Sequence, residues 1–342
     1  MATMRAAVLK APYNIPLEDV QKPEPSPREV LVKVRATGIC ATDVQMYSGR
    51  YKVKLPLIMG HESVGEVAGA GKEARTLRIG DRVVINPLFS CGGCYYCLRG
   101  KTNLCSRGGL FGRERSGTYA EYVSVPEHMA FKFPENIPFE DASAIELLVT
   151  VLHGHKRIKI SPGDSVAVLG QGAAGLLHTR LAKLSGASPV IVTSRSRWKL
   201  DLAKQFGADR LVNASTEDVA EKIREYTDGR GADIVMESVG SPETIRQCVD
   251  AVRPGGTVLV FGICTELVDA FNALPFYFKE IDFVGSRAMT GEEFEPCIRL
   301  VASNVVNLKA LITHRFPLEK IKEGLELLDK TPGNALRVAV IP

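Results

Sequence analysis

The chain has 342 residues, twice the roughly 150 that a single domain typically needs, so two domains are expected. Hydrophobic residues at 45% can build real cores, and 43 basic against 39 acidic side chains leave a formal charge of only +4. That balance excludes a basic stripe for gripping nucleic acid and an acidic tail.

The short basic run His155-Lys156-Arg157 with Lys159 reads as a solvated surface segment. No apolar run approaches the roughly 18 to 20 residues of a membrane span. Met1 to Lys10 lacks the charged-then-apolar order of a secretory signal, so a cytoplasmic protein without membrane or nucleic-acid partners is expected. Eight cysteines are too sparse for a disulfide scaffold, and five of them sit at Cys40, Cys91, Cys94, Cys97 and Cys105. In a reducing compartment such clustered thiols read as metal ligands, while Cys248, Cys264 and Cys297 read as small packed side chains.

Up to about Leu148 the chain reads as irregular and strand-rich, with alternation at Glu29 to Val34, prolines at Pro23, Pro25 and Pro27, and little helical periodicity. Beyond it, strands are expected at Ser165–Leu169, Pro189–Thr193, Ala232–Met236 and Thr257–Phe261. Between them fall helices at Ala173–Ser185, Arg197–Phe206, Glu217–Tyr226 and Pro242–Val252. This α/β alternation predicts a doubly wound parallel sheet covered by helices on both faces. It ends near Asp282 to Arg287. The tail offers helices around Phe294–Ser303 and Leu318–Asp329 and a strand at Ala335–Ile341, elements that could close either domain.

The sequence Gly170-Gln171-Gly172-Ala173-Ala174-Gly175 is a G-x-G-x-x-G turn placed after a strand and before a helix. Gly170 allows the tight turn, Gly172 lets backbone approach a pyrophosphate, and Gly175 lets helix pack on sheet, with helix N–H groups facing the anion. The next strand should end beside an adenosine ribose, where NAD would call for an acidic residue. The segment instead runs Thr193-Ser194-Arg195-Ser196-Arg197-Trp198-Lys199. Ser194 can donate to a 2′-phosphate and Arg195 can pair with it in a fork, so NADP(H) is favoured over NAD(H), with Lys199 adding charge. Alternatively these cations are only an exposed helix start.

Cys91, Cys94, Cys97 and Cys105 offer four soft ligands in one glycine-bearing loop, which suits a closed, tetrahedral structural zinc. A second, dispersed set comprises Cys40 in Gly38-Ile-Cys40-Ala-Thr42-Asp43, His61 and Glu62 in Gly60-His61-Glu62-Ser63-Val64-Gly65, and Glu146. Together they supply thiolate, imidazole and carboxylate, the donor mix of a catalytic zinc. Asp43 is suited to hold the far nitrogen of His61 and fix its tautomer.

These residues resemble the medium-chain zinc-dependent alcohol and polyol dehydrogenases, sorbitol and threonine dehydrogenase-like, over essentially the whole chain. The resemblance is carried by Cys40-Ala-Thr42-Asp43, Gly60-His61-Glu62-x-x-Gly65, Gly80-Asp81-Arg82-Val83, the four-cysteine lobe and the glycine turn. It implies a β-rich GroES-like catalytic domain formed by residues 1–149 and 286–342, with the zinc lobe at 86–112. A Rossmann dinucleotide domain at 150–285 is inserted in it. It also implies Cys40, His61 and a carboxylate from Glu62, Glu146 or both as catalytic-zinc ligands. Thr42 would bond the substrate oxygen, Thr150 would lie beside the nicotinamide, and Arg337 near the pyrophosphate. A homodimer or tetramer follows from the same likeness. One departure is Gln45, where many members have a histidine; glutamine cannot titrate near neutrality, so a proton would leave through the cofactor ribose and water.

The expected reaction is hydride transfer between a secondary alcohol and the nicotinamide, with Thr42 taking the alcohol proton. The glutamate-containing site favours a polyol, sugar or sugar-derived alcohol, and Arg113, Glu114 and Arg115 are expected at the cleft mouth. The runner-up is a dehydrogenase or reductase of simple or aromatic alcohols and aldehydes. A zinc-free quinone reductase would lack reason to keep Cys40, His61 and Glu62. A zinc-lobe module binding nucleic acid or protein would have no use for a dinucleotide site.

Overall fold

The strand Glu29–Gly38 reads EVLVKVRATG, and its alternating Val30, Val32 and Val34 are buried on one face. In this computed structural model it forms the middle of a seven-stranded sheet. Residues 2–269 and 271–342 are described, without the side chain of Pro332; Met1 and Ala270 lie outside them. The sheet runs Ala130–Lys132, Arg82–Ile85, Glu62–Ala70, Glu29–Gly38, Arg337–Ile341, Ile312–Pro317, and Tyr122–Pro126 also pairs with Glu29–Gly38. Its register sets Gly38 opposite both Glu62 and Ala339, so Cys40 emerges from the strand end where Glu62 begins its own strand. A smaller sheet joins Leu17–Gln21, Thr3–Leu9 and Leu57–Ile58.

The chain divides into two units, Met1–Val149 with Met289–Pro342, and Thr150–Ala288. The first boundary falls within the helix Ile145–Lys156. The tail thus belongs to the first unit, where the strand Arg337–Ile341 completes the sheet and Leu318, Ile321 and Leu325 join a core with Leu9, Ile39, Tyr47 and Met59.

The second unit holds a six-stranded, all-parallel sheet in the order Arg210–Asn213, Val190–Ser194, Val166–Leu169, Ala232–Glu237, Val252–Val260, Asp282–Gly285. That is the doubly wound order with its switch point at Val166–Leu169, next to the glycine turn. Helices Ala173–Leu184, Arg197–Gln205, Val219–Glu225 and Pro242–Ala251 follow the strands in turn, and the last two bring Ile223 and Val249 into a core with Ala167 and Ile191 of the sheet.

Several expectations change. Arg210–Asn213 and Ile312–Pro317 are strands without a sequence signal, because these short edge strands carry too little apolar alternation. The helix Ala41–Tyr47 is too short to show periodicity. Val252 begins a strand and does not end a helix. Cys248 and Cys297 are buried, whereas Cys264 is half-buried in a loop, its thiol 3.5 Å from the Glu266 carbonyl.

His155 also departs from the solvated reading. Its ring stacks on the fully buried His178, Nε2 to Nδ1 3.1 Å, and Phe261 meets His178 edge-on. Burial lowers His155 to about 4, and burial and then His155 hold His178 well below the usual range. Both rings fold neutral, whereas the unfolded chain protonates them near 6.5. Their contribution is therefore complete above about 6.5 and is lost as pH falls toward about 4. The thermal midpoint should drop across that window, and less steeply in H155Q/H178Q; equal slopes in calorimetric scans of the two proteins would contradict this.

Candidate functional site

Cys40 caps the helix Ala41–Tyr47, and Asp43, at the third helical position, closes the box by accepting the Cys40 N–H at 2.9 Å on Oδ2. This capping turns a fully buried carboxylate toward His61, with Asp43 Oδ1 3.5 Å from His61 Nδ1. The other ring nitrogen is left for a cation. Donor atoms of Cys40, His61 and Glu62 lie within 4.8 Å of one another, a spacing that fits one metal ion. Burial opposes charge on His61, but Asp43 and then Cys40 outweigh it and hold the ring well above its usual range. A divalent cation would take the place of that proton.

Glu146 is buried at the start of the helix Ile145–Lys156 and is pushed up to about 7, by burial first; His61 opposes that rise and Asp43 adds to it. It lies outside the tight Cys40–His61–Glu62 set. Arg337, expected near the pyrophosphate, is 4% exposed and engaged by the Glu62 carboxylate, so its charge is taken up inside the first unit. Gly38 leaves the room: a Cβ there would run into both Arg337 and Glu62. Thr42 is half-buried and its hydroxyl has no hydrogen-bond partner among the described residues. Gln45, one helical turn on from Cys40, is half-buried.

The other cluster is Cys91, Cys94, Cys97 and Cys105, again with sulfurs within 4.8 Å. Cys94 Sγ lies 3.5 Å from Cys97 Sγ and 3.9 Å from Cys105 Sγ, and all four thiols are free of disulfides. The backbone N–H groups of Cys97 and Ser106 bring Cys94 down to about 5, and that of Gly93 lowers Cys91. Burial and neighbouring thiols raise Cys97. Clustered sulfur, with the Cys91 and Cys94 thiols brought down, suits a soft cation. Arg113, Glu114 and Arg115 directly follow the lobe and are engaged against it: Arg113 pairs with Glu114 at 2.6 Å, Glu114 accepts the Leu110 N–H at 2.7 Å, and Arg115 lies over Phe89.

In the second unit, Gly170 adopts φ +92° and Gly172 caps the helix Ala173–Leu184. A Cβ on Gly175 would strike the Gly170 carbonyl, so helix and turn can approach only through glycine. Ala173 and Ala174 form the first helical turn, whose N–H groups are open to an anion. Gln171 differs from the simplest expectation: its side chain is buried, bonded to the Val168 carbonyl and Thr179, so only its backbone is available to a ligand. Ser194 ends the strand Val190–Ser194 and accepts the Ser196 N–H at 3.1 Å. Arg197 is engaged by Asp201, whereas Arg195 is exposed with no side-chain partner among the described residues. Lys199 is half-buried, 5.4 Å over the Trp198 ring, and burial lowers it. Thr150 lies on the helix Ile145–Lys156.

Two further residues belong to these sites without a sequence signal. Tyr119 donates to Asp43 at 2.9 Å. Glu237, fully buried, accepts the Val239 and Gly240 N–H groups, both at 2.8 Å, and so shapes the loop whose Val239 packs on Gly170.

Residues 26–135 match the alcohol dehydrogenase GroES-like domain, and residues 173–303 match the zinc-binding dehydrogenase model. The chain is 37% identical to L-threonine 3-dehydrogenase of Pyrococcus abyssi over 340 residues, covering 96% of each. It is 31% identical to sorbitol dehydrogenase of Bacillus subtilis over 344 residues, covering 99% of this chain and 97% of the relative. A zinc-binding dehydrogenase of Sinorhizobium meliloti, solved bound to NADP, superimposes with TM-score 0.94 at 34% identity over 100% of both chains.

The buried Arg337–Glu62 pair makes a stability prediction. Removing one partner strands the other charge, which costs about 3–5 kcal/mol, whereas replacing both with apolar residues costs less. Urea unfolding should therefore show R337M less stable than E62M/R337M; the reverse order would refute the pairing.

Proposed function

Since the chain belongs to the medium-chain zinc-dependent alcohol dehydrogenase family, we propose that it interconverts a secondary alcohol of the polyol or sugar-alcohol type and its ketone using NADP(H). Met1–Val149 with Met289–Pro342 is the catalytic domain and Thr150–Ala288 the dinucleotide domain. One zinc is assigned to Cys40, His61 and a glutamate, and one to the four-cysteine lobe. When bound, zinc supplies the positive charge that eases loss of an alcohol proton, and the nicotinamide supplies the acceptor for hydride.

The chain's own residues do the rest. Asp43 holds His61 in the tautomer that leaves one nitrogen for the metal. Thr42, two residues beyond Cys40, offers a free hydroxyl to take the substrate proton. Gln45 cannot carry that proton onward, because its amide does not titrate near neutrality. Gly170, Gly172, Ala173 and Ala174 would hold the pyrophosphate at the helix N-terminus, and Thr150 would face the nicotinamide.

The free guanidinium of Arg195 carries the NADP(H) reading, because it follows the strand end where NAD would call for a carboxylate. The bound NADP of the Sinorhizobium relative agrees with it. The carboxylate among the metal donors and the likeness to sorbitol and threonine dehydrogenases support a secondary alcohol with a neighbouring polar group. A second copy of the chain is the proposed partner. Among the described residues the strand Asp282–Gly285 ends its sheet with an unpaired edge, and Leu267, Tyr277 and Phe278 nearby in sequence are 85%, 79% and 71% exposed. Among the described residues no helix is long and apolar enough to cross a membrane, and a compartment that keeps the free thiols reduced, the cytoplasm, is proposed.

Arg195→Ala should raise KM for NADPH about tenfold or more while leaving KM for NADH nearly unchanged, the loss of one charge-assisted contact. Equal effects on the two cofactors would mark Arg195 as mere surface charge. In a substrate panel, turnover should favour secondary polyols, and activity confined to unsubstituted primary alcohols would overturn the substrate assignment.

A further inference from the structure

Tyr119 lies outside every motif that marks the metal cluster, yet it touches that cluster's support at two points. Its side chain is fully buried, and its phenol donates to Asp43 Oδ2 at 2.9 Å. The same oxygen accepts the Cys40 N–H at 2.9 Å, while Oδ1 faces His61 Nδ1 at 3.5 Å. Two donors on one oxygen fix the carboxylate plane: it cannot rotate away from His61 without breaking one of them.

The ring acts on the backbone. Gly60, immediately before His61, has φ +91°, and a Cβ there would come within 2.6 Å of Tyr119 Cδ1. Tyr119 N–H donates to Met59 O at 2.9 Å and Thr118 N–H to Gly60 O at 3.1 Å, so the segment is stitched to the residues leading into His61. Beyond Glu62, Ser63 Oγ bonds Thr118 Oγ1. The stretch Thr118-Tyr119 thus grips the ligand-bearing turn on both sides of His61 and Glu62.

We propose that Tyr119 is a positioning residue for the metal at Cys40 and His61: its phenol clamps Asp43, Asp43 aims His61, and its ring sets the backbone that presents His61. This rests on the metal site proposed above. A phenol that merely satisfies its own burial would change stability when removed but would leave metal affinity alone.

The test compares wild type, Y119F, D43N and Y119F/D43N as zinc-loaded proteins, with zinc affinity read by competition against a chromogenic chelator. Partners that orient a ligating histidine typically change metal affinity ~10–100-fold. Y119F should loosen one of two zinc ions by about tenfold, leave the lobe zinc unchanged, and cause no further loss when added to D43N. A Y119F protein whose two zinc affinities both match wild type would overturn the inference alone, as would full additivity with D43N. A wild-type protein that takes up only the lobe zinc would overturn the metal site and the inference with it. Should Y119F lose both ions through misfolding, wild type provides the reading. The Tyr119 hydroxyl proton, followed by NMR of labelled protein, should exchange slowly and shift when zinc is withdrawn from the Cys40 site, and a resonance indifferent to that zinc would refute the role.

Discussion

A carboxylate buried without access to water, Asp43, facing the ring of His61 is the constraint on which the rest of the first unit turns. Such a charge is costly unless surrounded by donors and positive charge. The surrounding structure meets that demand with the Cys40 N–H, the Tyr119 phenol and His61. Each of these then has a fixed place: Cys40 at the cap of a short helix, His61 after a glycine pressed on an aromatic ring. A second buried charge, Glu62, is met by Arg337 from the tail strand, which binds the C-terminal segment to the site as well as to the sheet.

The dinucleotide unit relies on a different economy of space. Its parallel sheet brings the glycine turn to the switch point, and Gly175 permits an approach that no side chain would allow. Glu237, accepting two backbone N–H groups, holds the neighbouring loop whose Val239 closes on Gly170. In both units a buried carboxylate, Asp43 or Glu237, accepts backbone N–H groups where a loop meets a regular element.

The sequence made legible whatever depends on local chemistry. The turn from Gly170 to Gly175 shows itself because backbone demands restrict residue type, and the lobe from Cys91 to Cys105 because soft donors cluster within one loop. The family's fold was legible through those motifs together. What stayed hidden depends on distance along the chain. Tyr119 meets Asp43 across 76 residues and Arg337 meets Glu62 across 275, and neither residue type signals its partner. His155 lay in a run of cations that reads as solvated, and only the fold stacks it on His178. The strands Arg210–Asn213 and Ile312–Pro317 show too little apolar alternation to declare themselves.

Anomalous diffraction at the zinc edge, from crystals of the protein as purified, addresses the central claim most directly. The account requires two peaks per chain, one within the sulfurs of Cys91, Cys94, Cys97 and Cys105 and one bounded by Cys40, His61 and a glutamate. A single, fully occupied peak in the cysteine lobe, with density for an ordinary hydrogen-bonded His61 and no ion beside Cys40, would contradict it.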